Sequence, residues 1–183
     1  MRVLRAACRT KHLVRSAWCV MALAWAAGPL AAQDEQIGIP IGTMPAAVTI
    51  ETLDGQTVDL GAVIGRRPVL LEFWATWCPL CGALFPKLEA AHRRYAGQIE
   101  VIVVAVAVNQ SQRSILRHLQ RHPMPFAAVY WDTEGRATRA FRAPSTSYVV
   151  ALDATGKVVY TGLGDEQDIE EAMKRAVEGG NGR

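Results

Sequence analysis

The sequence predicts an α/β protein with a layered, mixed β-sheet, and three features of its pattern indicate this. Residues 69–74 and 99–108 are apolar almost throughout, as expected of strands that are buried on both faces of a sheet. Segments with helical periodicity alternate with these runs, which favours parallel strands joined by crossover helices. A hairpin pattern near the carboxyl end adds antiparallel strands, so the sheet is predicted to be mixed rather than all parallel.

Local signals place the individual elements along the chain. Asp54-Gly55 is typical of a tight hairpin turn, Ser111 is a good helix N-cap, and Pro86 is expected to kink the helix that contains it. The helix that follows Ser111 is expected to turn three apolar side chains inward, those of Ile115, Leu116 and Leu119. The predicted elements are hairpins over 48–53 with 56–60 and over 148–152 with 157–161, strands over 69–74, 99–108 and 126–131, and helices over 79–95, 111–122, 133–142 and 165–177.

Residues 1–32 are predicted to be a secretory signal peptide. Basic residues precede an apolar run at 17–32 that ends in Leu30-Ala31-Ala32, which is the order of regions in such signals. The run is short for a membrane span of about 20 residues, so membrane attachment is expected only if the signal stays uncleaved. The rest of the chain is expected to divide into a flexible lead-in at 33–46, one domain at 47–179 and a disordered tail at 180–183.

Removal of the signal changes the charge and the cysteine content of the chain. The whole sequence has a formal net charge of +3, but five of its 20 basic residues precede Ala32, which leaves 15 basic and 17 acidic residues. The basic balance therefore belongs to the signal, and binding of nucleic acid loses its compositional support. Cys8 and Cys19 also precede the cleavage site, so only Cys78 and Cys81 remain.

Cys78 and Cys81 form the most informative pair of residues in the chain. They lie at a predicted strand-to-helix junction, where free amide groups and the helix dipole lower the pKa of a thiol. A disulfide across so short a loop constrains the unfolded chain little, which favours a catalytic over a structural role in an oxidising compartment. We therefore predict thiol–disulfide chemistry, with Cys78 as the nucleophile and Cys81 as the resolving cysteine.

The residues around this pair resemble a known family. The segment Phe73-Trp74-Ala75-Thr76-Trp77-Cys78-x-x-Cys81 is similar to the active-site segment of thioredoxins, in the form found in the TlpA/ResA-like extracytoplasmic members. The similarity extends over about residues 45–177 and places Pro86 at the family's kink in the active-site helix. It implies a thioredoxin-like three-layer fold, in which a central mixed β-sheet is flanked by helices, with an N-terminal β-hairpin and a central αβ insertion.

The same resemblance implies a function. Members of this family are exported thiol–disulfide oxidoreductases that reduce disulfides of specific proteins, including apocytochrome c before haem attachment. The implied partners are disulfide-containing proteins and a membrane-bound thiol donor of electrons, in the periplasm or another extracytoplasmic location of a bacterium. We expect no bound cofactor and no metal, no nucleic-acid partner, and a monomer.

Two departures from the family pattern concern the site. Leu80 stands where proline is common before the second cysteine, and Pro79 precedes it, so the redox potential does not carry over. Ser147, preceded by Thr146, stands where the family has a cis-proline that faces the disulfide. A cis bond to a non-proline residue costs about 3–4 kcal/mol, so we expect a rebuilt loop with Thr146 and Ser147 still near the sulfur atoms. Pro144 could take the place of the family's cis-proline only if the alignment were shifted by three residues.

Glu72 and Trp77 complete the predicted site. Glu72 lies inside an apolar strand, and the resemblance gives it the role of the buried acid that exchanges a proton with Cys81. The other reading is an outward carboxylate paired with Arg66 or Arg67. Trp77 is expected to shield the disulfide and, with Pro79, Thr146 and Ser147, to line the substrate surface.

Other functions remain open from the sequence alone. A thiol peroxidase would need Pro and Thr where Leu71 and Ala75 stand, and a metal-binding or partner-binding protein of the same fold would leave the cysteines inessential. His118 and His122 are four residues apart on one helical face, a spacing that allows metal ligation but is more often a solvated face.

Overall fold

The computed structural model describes residues 37–179 of the chain. The signal peptide predicted at 1–32 and the tail at 180–183 lie outside the described residues. Within them the strands are β1 Thr49–Thr52, β2 Thr57–Asp59, β3 Val69–Trp74, β4 Glu100–Val106, β5 Ala127–Asp132, β6 Tyr148–Leu152 and β7 Val158–Leu163. The helices are α1 Pro79–Arg94, α2 Gln112–Arg121, α3 Arg136–Ala140 and α4 Ile169–Gly179, with a short 3₁₀ turn at Leu60–Ala62.

All these strands belong to one sheet, in the order β2-β1-β5-β4-β3-β6-β7. β3 is parallel to β4 and antiparallel to β6, and β4 is parallel to β5. The late hairpin formed by β6 and β7, and the early one formed by β1 and β2, are both antiparallel. The mixed α/β sheet that the sequence predicts is therefore confirmed, and the helix α2 with strand β5 follows β4 in the middle of the chain.

The two faces of the sheet are both covered by helices, which explains the continuous apolar runs in its central strands. Every residue of β3 is buried, and so are six of the seven residues of β4. Side chains alternate between the two faces along a strand, so Leu70 packs with α1 and α4 while Leu71 belongs to the cluster that includes residues of α2 and α3. The result is three layers with the active-site helix on one face.

Several element boundaries or faces differ from the sequence prediction, and α3 spans Arg136–Ala140 rather than 133–142. Leu116, expected to point inward, is 42% exposed, whereas Ile115 is fully buried. β4 ends at Val106, and Val108 lies beyond it with 58% of its surface exposed. α4 begins at Ile169 rather than near 165, because the Asp168 carboxylate accepts a hydrogen bond of 2.9 Å from the Glu171 amide and caps the helix there.

The described part of the lead-in is hydrogen-bonded to the domain, which differs from the loose segment that the sequence analysis expects. Ile39 is buried, and its amide donates to the Tyr148 hydroxyl at 3.0 Å. Gly42 and Thr43 exchange backbone hydrogen bonds with Val158, at 2.7 and 2.9 Å. Buried apolar contact and backbone pairing fix this stretch although it lacks any periodic pattern. No helix within residues 37–179 is long and apolar enough to cross a membrane.

Candidate functional site

The Cys78–Cys81 pair lies at the start of α1, directly beyond the end of β3. The two sulfur atoms are joined in a disulfide, with the Cα atoms 5.3 Å apart. Cys78 has an extended backbone and is the N-cap of the helix. Pro79 follows in the first turn, where an amide hydrogen would have no acceptor within the helix, so proline costs no hydrogen bond there. The strand-to-helix junction that the sequence predicts for this pair is confirmed.

The two cysteines differ in exposure and in hydrogen bonding. Cys78 is 8% exposed and Cys81 only 1%, so Cys78 is the more accessible to a partner. The Cys78 Sγ atom accepts a hydrogen bond from the Cys81 amide at 3.1 Å. An amide at a helix N-terminus that donates to sulfur favours the thiolate over the thiol, because both the bond and the dipole stabilise negative charge.

The two tryptophans beside the cysteines have different environments. Trp77 is 46% exposed, and its indole Nε1 donates to the Val108 carbonyl oxygen at 2.8 Å. Trp74 is almost fully buried and packs against the His118 ring in a T-shaped arrangement, with the ring centres 5.2 Å apart. Trp77 is thus a surface residue of the site, whereas Trp74 belongs to the core beneath it.

A glutamine that the sequence analysis did not single out holds the turn before Cys78. The Gln110 side-chain oxygen accepts from the Thr76 amide at 2.9 Å, and its amide nitrogen donates to the Val106 carbonyl. The contact joins positions 34 residues apart. A glutamine in a loop carries no local signal of such a bond, so sequence reasoning had no means to find it.

Glu72 is buried without a hydrogen-bonding partner for its Oε1 atom. Burial raises the pKa of this carboxyl from 4.5 to about 8, because the surrounding apolar side chains disfavour its charged form. The alternative prediction, that the Glu72 carboxylate faces outward and pairs with Arg66 or Arg67, is wrong. Glu72 is 1% exposed, and Arg67 pairs with Glu100 instead. Strand alternation puts Glu72 on the same face as Leu70, the face covered by α1.

The loop at Ser147 contains no cis peptide bond, and neither does any other part of residues 37–179. Ser147 has a φ of 61°, a left-handed conformation that is uncommon outside glycine. Its amide donates to the Phe73 carbonyl at 2.7 Å, and its own carbonyl accepts from Gly164 at 3.1 Å and from the Gln167 side chain at 3.0 Å. Backbone and glutamine hydrogen bonds therefore hold this loop, and Gln167 is a second residue without a sequence signal.

Two cavities are lined by residues of the cysteine segment, one by Trp77 and the other by Cys81. One, of about 390 Å³, brings together Trp77 and Thr146, which the sequence predicts for the same surface. The Ser147 side chain is fully buried and does not line it, and Pro79 is exposed at the start of α1 but lines neither cavity. The other cavity, of about 530 Å³, reaches Cys81 and is lined by Trp74, Cys81, Gly82, Phe85, Pro86, His118, Arg121, His122, Pro123 and Met124.

The histidine pair lies at the rim of this second cavity. The His118 and His122 ring centres are 4.8 Å apart. In the described part of the chain, no group of three or more His, Cys, Asp or Glu side chains is placed to hold a metal ion.

A family model described as Redoxin matches residues 41–177. The chain belongs to the redoxin family. The thiol-disulfide oxidoreductase ResA of Halalkalibacterium halodurans is 28% identical over 127 residues, which cover 68% of this chain and 70% of that protein. Membership of the family and the similarity to ResA confirm the resemblance drawn from the CXXC segment.

Solved structures confirm the thioredoxin-like fold of this redoxin. A thiol:disulfide interchange protein of the DsbE type from Chlorobium tepidum superimposes with a TM-score of 0.65 at 23% identity, covering 79% of this chain and 99% of that one. A secreted disulfide oxidoreductase of Mycobacterium tuberculosis, homologous to DsbE, gives a TM-score of 0.59 at 19% identity and covers 69% of this chain and 94% of its own.

Proposed function

We propose that this redoxin is a thiol–disulfide oxidoreductase that reduces disulfides of proteins through Cys78 and Cys81. The observation that carries the proposal is the Cys78–Cys81 disulfide at the N-terminus of α1, with Cys78 the more exposed of the two. The similarity to ResA, which is named as a thiol-disulfide oxidoreductase, supports the same chemistry.

The reaction transfers two electrons from the enzyme dithiol to the substrate. The Cys78 thiolate attacks one sulfur of the substrate disulfide, forms a mixed disulfide and releases the other sulfur as a thiolate. Cys81 then loses its proton and attacks the Cys78 sulfur, which frees the second substrate thiol and leaves the Cys78–Cys81 disulfide. A thiol donor outside the molecule must return two electrons before the next cycle.

Glu72 is proposed to exchange the proton of the resolving cysteine. A carboxyl whose pKa is about 8 can both give and take a proton near neutral pH, which is what a general acid or base requires. Its place on the face of β3 beneath α1, the helix of Cys81, supports this role. We expect Glu72→Gln to slow release of the mixed disulfide more than its formation.

Trp77, Pro79 and Thr146 are proposed to contact the substrate, and Ser147 is proposed to support them from a buried position. Trp77 and Thr146 share a cavity of about 390 Å³, and Pro79 is exposed at the start of the helix. Ser147, being fully buried, acts by fixing the backbone of Thr146.

We also propose an extracytoplasmic location and an exported chain. The support is the signal-like pattern of residues 1–32 and the presence of a secreted disulfide oxidoreductase among proteins of the same fold. A membrane-bound thiol donor is the source of electrons that such a location calls for, and we expect the protein to act as a monomer.

Single cysteine variants test the roles of the two sulfur atoms. We expect Cys78→Ser to abolish reduction of insulin, followed by turbidity, and Cys81→Ser to accumulate a covalent adduct with the substrate because the resolving thiol is missing. The double variant Cys78→Ser/Cys81→Ser is the control and should form no adduct. Adducts that form on Cys78→Ser and not on Cys81→Ser would reverse the assignment, and rapid consumption of peroxide with a thiol donor would favour a thiol peroxidase.

A further inference from the structure

Helix α2 carries positive charge along its whole length and no acidic residue. Arg113, Arg117 and Arg121 follow each other at intervals of four residues, which places them in one row on the helix surface. All three are exposed. His118 and His122 lie beside the last turn of this row. Residues 33–183 as a whole hold fewer basic than acidic residues, so this row is a local concentration of charge.

These arginines make no ion pair within residues 37–179. Like charges four apart on a helix cost about 0.2–0.5 kcal/mol per pair, and Arg113 lies in the first turn, where the helix dipole disfavours a cation. The arginines at the end of α1 differ, since Arg93 pairs with Glu89 at 3.0 Å and Arg94 with Glu170 at 2.9 Å. Helix stability therefore favours Arg121, which lies in the last turn, but it does not account for Arg113 and Arg117.

The row of charge ends at the cavity that reaches Cys81. The walls of this cavity are largely apolar and include Trp74, Phe85 and Met124, and its volume is about 530 Å³. Arg121, His118 and His122 form its rim on the α2 side. Burial lowers the pKa of His118, and the positive charges of His122 and Arg121 lower it further, which is the effect expected where cations face each other without an acid.

We propose that α2 and this cavity, together called the α2 surface, dock an acidic segment of the disulfide-bearing substrate protein. An apolar side chain of the segment occupies the cavity next to Cys81, and its carboxylates lie against Arg113, Arg117 and Arg121. This inference rests on the proposed function, because the substrate's disulfide must reach Cys78 while the segment is bound. It names the class of protein that the enzyme prefers: one with acidic residues and an apolar residue close to the reducible disulfide.

The length of the α2 surface indicates the length of the segment. Eight residues of helix rise about 12 Å, which an extended chain covers with about four residues at 3.3 Å each. A short, extended, acidic stretch therefore spans the arginine row. Exposed charge pairs add little affinity singly but raise the association rate and choose between partners, so the preference should appear in KM and weaken with salt.

Two peptide substrates with the same central disulfide test the proposal. One carries Glu and Leu beside the disulfide, and the other carries Lys and Leu. With the wild-type chain we expect KM for the acidic peptide to be roughly tenfold lower at low salt, with similar kcat, and the difference to shrink as salt is added. Arg117→Glu/Arg121→Glu should raise KM for the acidic peptide and lower it for the basic one.

Arg93→Glu/Arg94→Glu is the control, since it changes the charge by the same amount at exposed positions in the last turn of α1, outside the α2 surface. Equal KM values for the two peptides with the wild-type chain, or the same shift in the control variant, would overturn the proposal. Reduction of a small neutral disulfide by the wild-type chain reports the proposed function separately: if it is absent, the CXXC chemistry fails. Sedimentation with anionic phosphatidylserine vesicles that is lost in Arg117→Glu/Arg121→Glu, without peptide discrimination, would assign the surface to lipid and overturn the docking of a protein.

Discussion

The backbone amide of Ser147 donates a hydrogen bond of 2.7 Å to the carbonyl oxygen of Phe73. Phe73 pairs with Tyr148, the first residue of β6, so this bond ties the residue before β6 to β3 as well. Phe73 lies five residues before Cys78 on the same run of chain. The loop at Ser147 is therefore tied to β3, the strand that leads to the cysteines.

We expect Ser147→Pro to destabilise the protein by more than about 2 kcal/mol. Proline has no amide hydrogen to give to Phe73, and its φ near −65° is incompatible with the observed 61°. Ser147→Ala is the control, because it keeps the amide and removes a buried hydroxyl that lacks a partner. Its free energy of unfolding in urea should stay within about 1 kcal/mol of the wild type. Equal stability of both variants would show that the bond to Phe73 contributes nothing.

The stability of the oxidised protein should fall as pH rises from about 4.5 to 8, and Glu72 is the cause. Burial raises the pKa of its carboxyl to about 8, so the folded state holds a proton that the unfolded state has released in this range. The contribution is fully present below the unfolded pKa and is lost toward the folded one, with a slope of up to about 1.4 kcal/mol per pH unit.

Glu72→Gln should flatten this dependence and raise the free energy of unfolding at pH 8 relative to the wild type. Urea titrations at several pH values measure the free energy of unfolding and its dependence on pH. Glu89→Gln, on the exposed face of α1, should keep the wild-type slope. A Glu72→Gln protein with the same slope as the wild type would contradict the assignment.

Trp77→Phe should cost little stability, about 1 kcal/mol or less, because it removes one hydrogen bond to Val108 at an exposed position. Its larger effect should be a higher KM for protein disulfides, since the residue lines the cavity shared with Thr146. Trp74→Phe, at a buried position, should lower the unfolding midpoint more. The prediction fails if Trp77→Phe has the larger stability loss and an unchanged KM.

Ile115→Ala and Leu116→Ala test which face of α2 packs on the sheet. Ile115 is fully buried, so its truncation should cost about 2–4 kcal/mol, whereas Leu116 is 42% exposed and its truncation should cost less than about 1 kcal/mol. The free energies of unfolding of the two variants, measured side by side in denaturant, show which side chain is packed. Similar losses would restore the inward orientation that the sequence pattern favours for Leu116.

The sequence predicts those parts of the fold in which a local pattern of residues is compatible with only one type of element. The apolar run of β3 and the cysteines after it define a buried strand and a helix start, and the structure has both. The prediction for Leu116 is wrong because this residue lies about 100° around the helix from Ile115, at the margin of the buried face. Ile115 occupies the centre of that face, which leaves Leu116 outside it.

The rest of the site depends on contacts between distant parts of the chain. Gln110 bonds to Thr76 across 34 residues and Gln167 to Ser147 across 20, and neither glutamine differs locally from a solvated one. Likewise, hydrogen bonds to Tyr148 and Val158 hold the segment of Ile39 against the domain. No pattern within that segment predicts its burial. Sequence patterns report local propensity and burial of regular elements, and they are silent on such pairings.

The central position of β3 has a consequence for the order in which the molecule opens. β3 is hydrogen-bonded along its length to β4 on one side and β6 on the other, so its amides are shielded from solvent until the whole sheet separates. In deuterated water they should be among the last to lose their protons. The cysteines therefore follow a strand that is expected to open late, and the disulfide can be reduced and reformed many times while β3 stays paired with both of its neighbours.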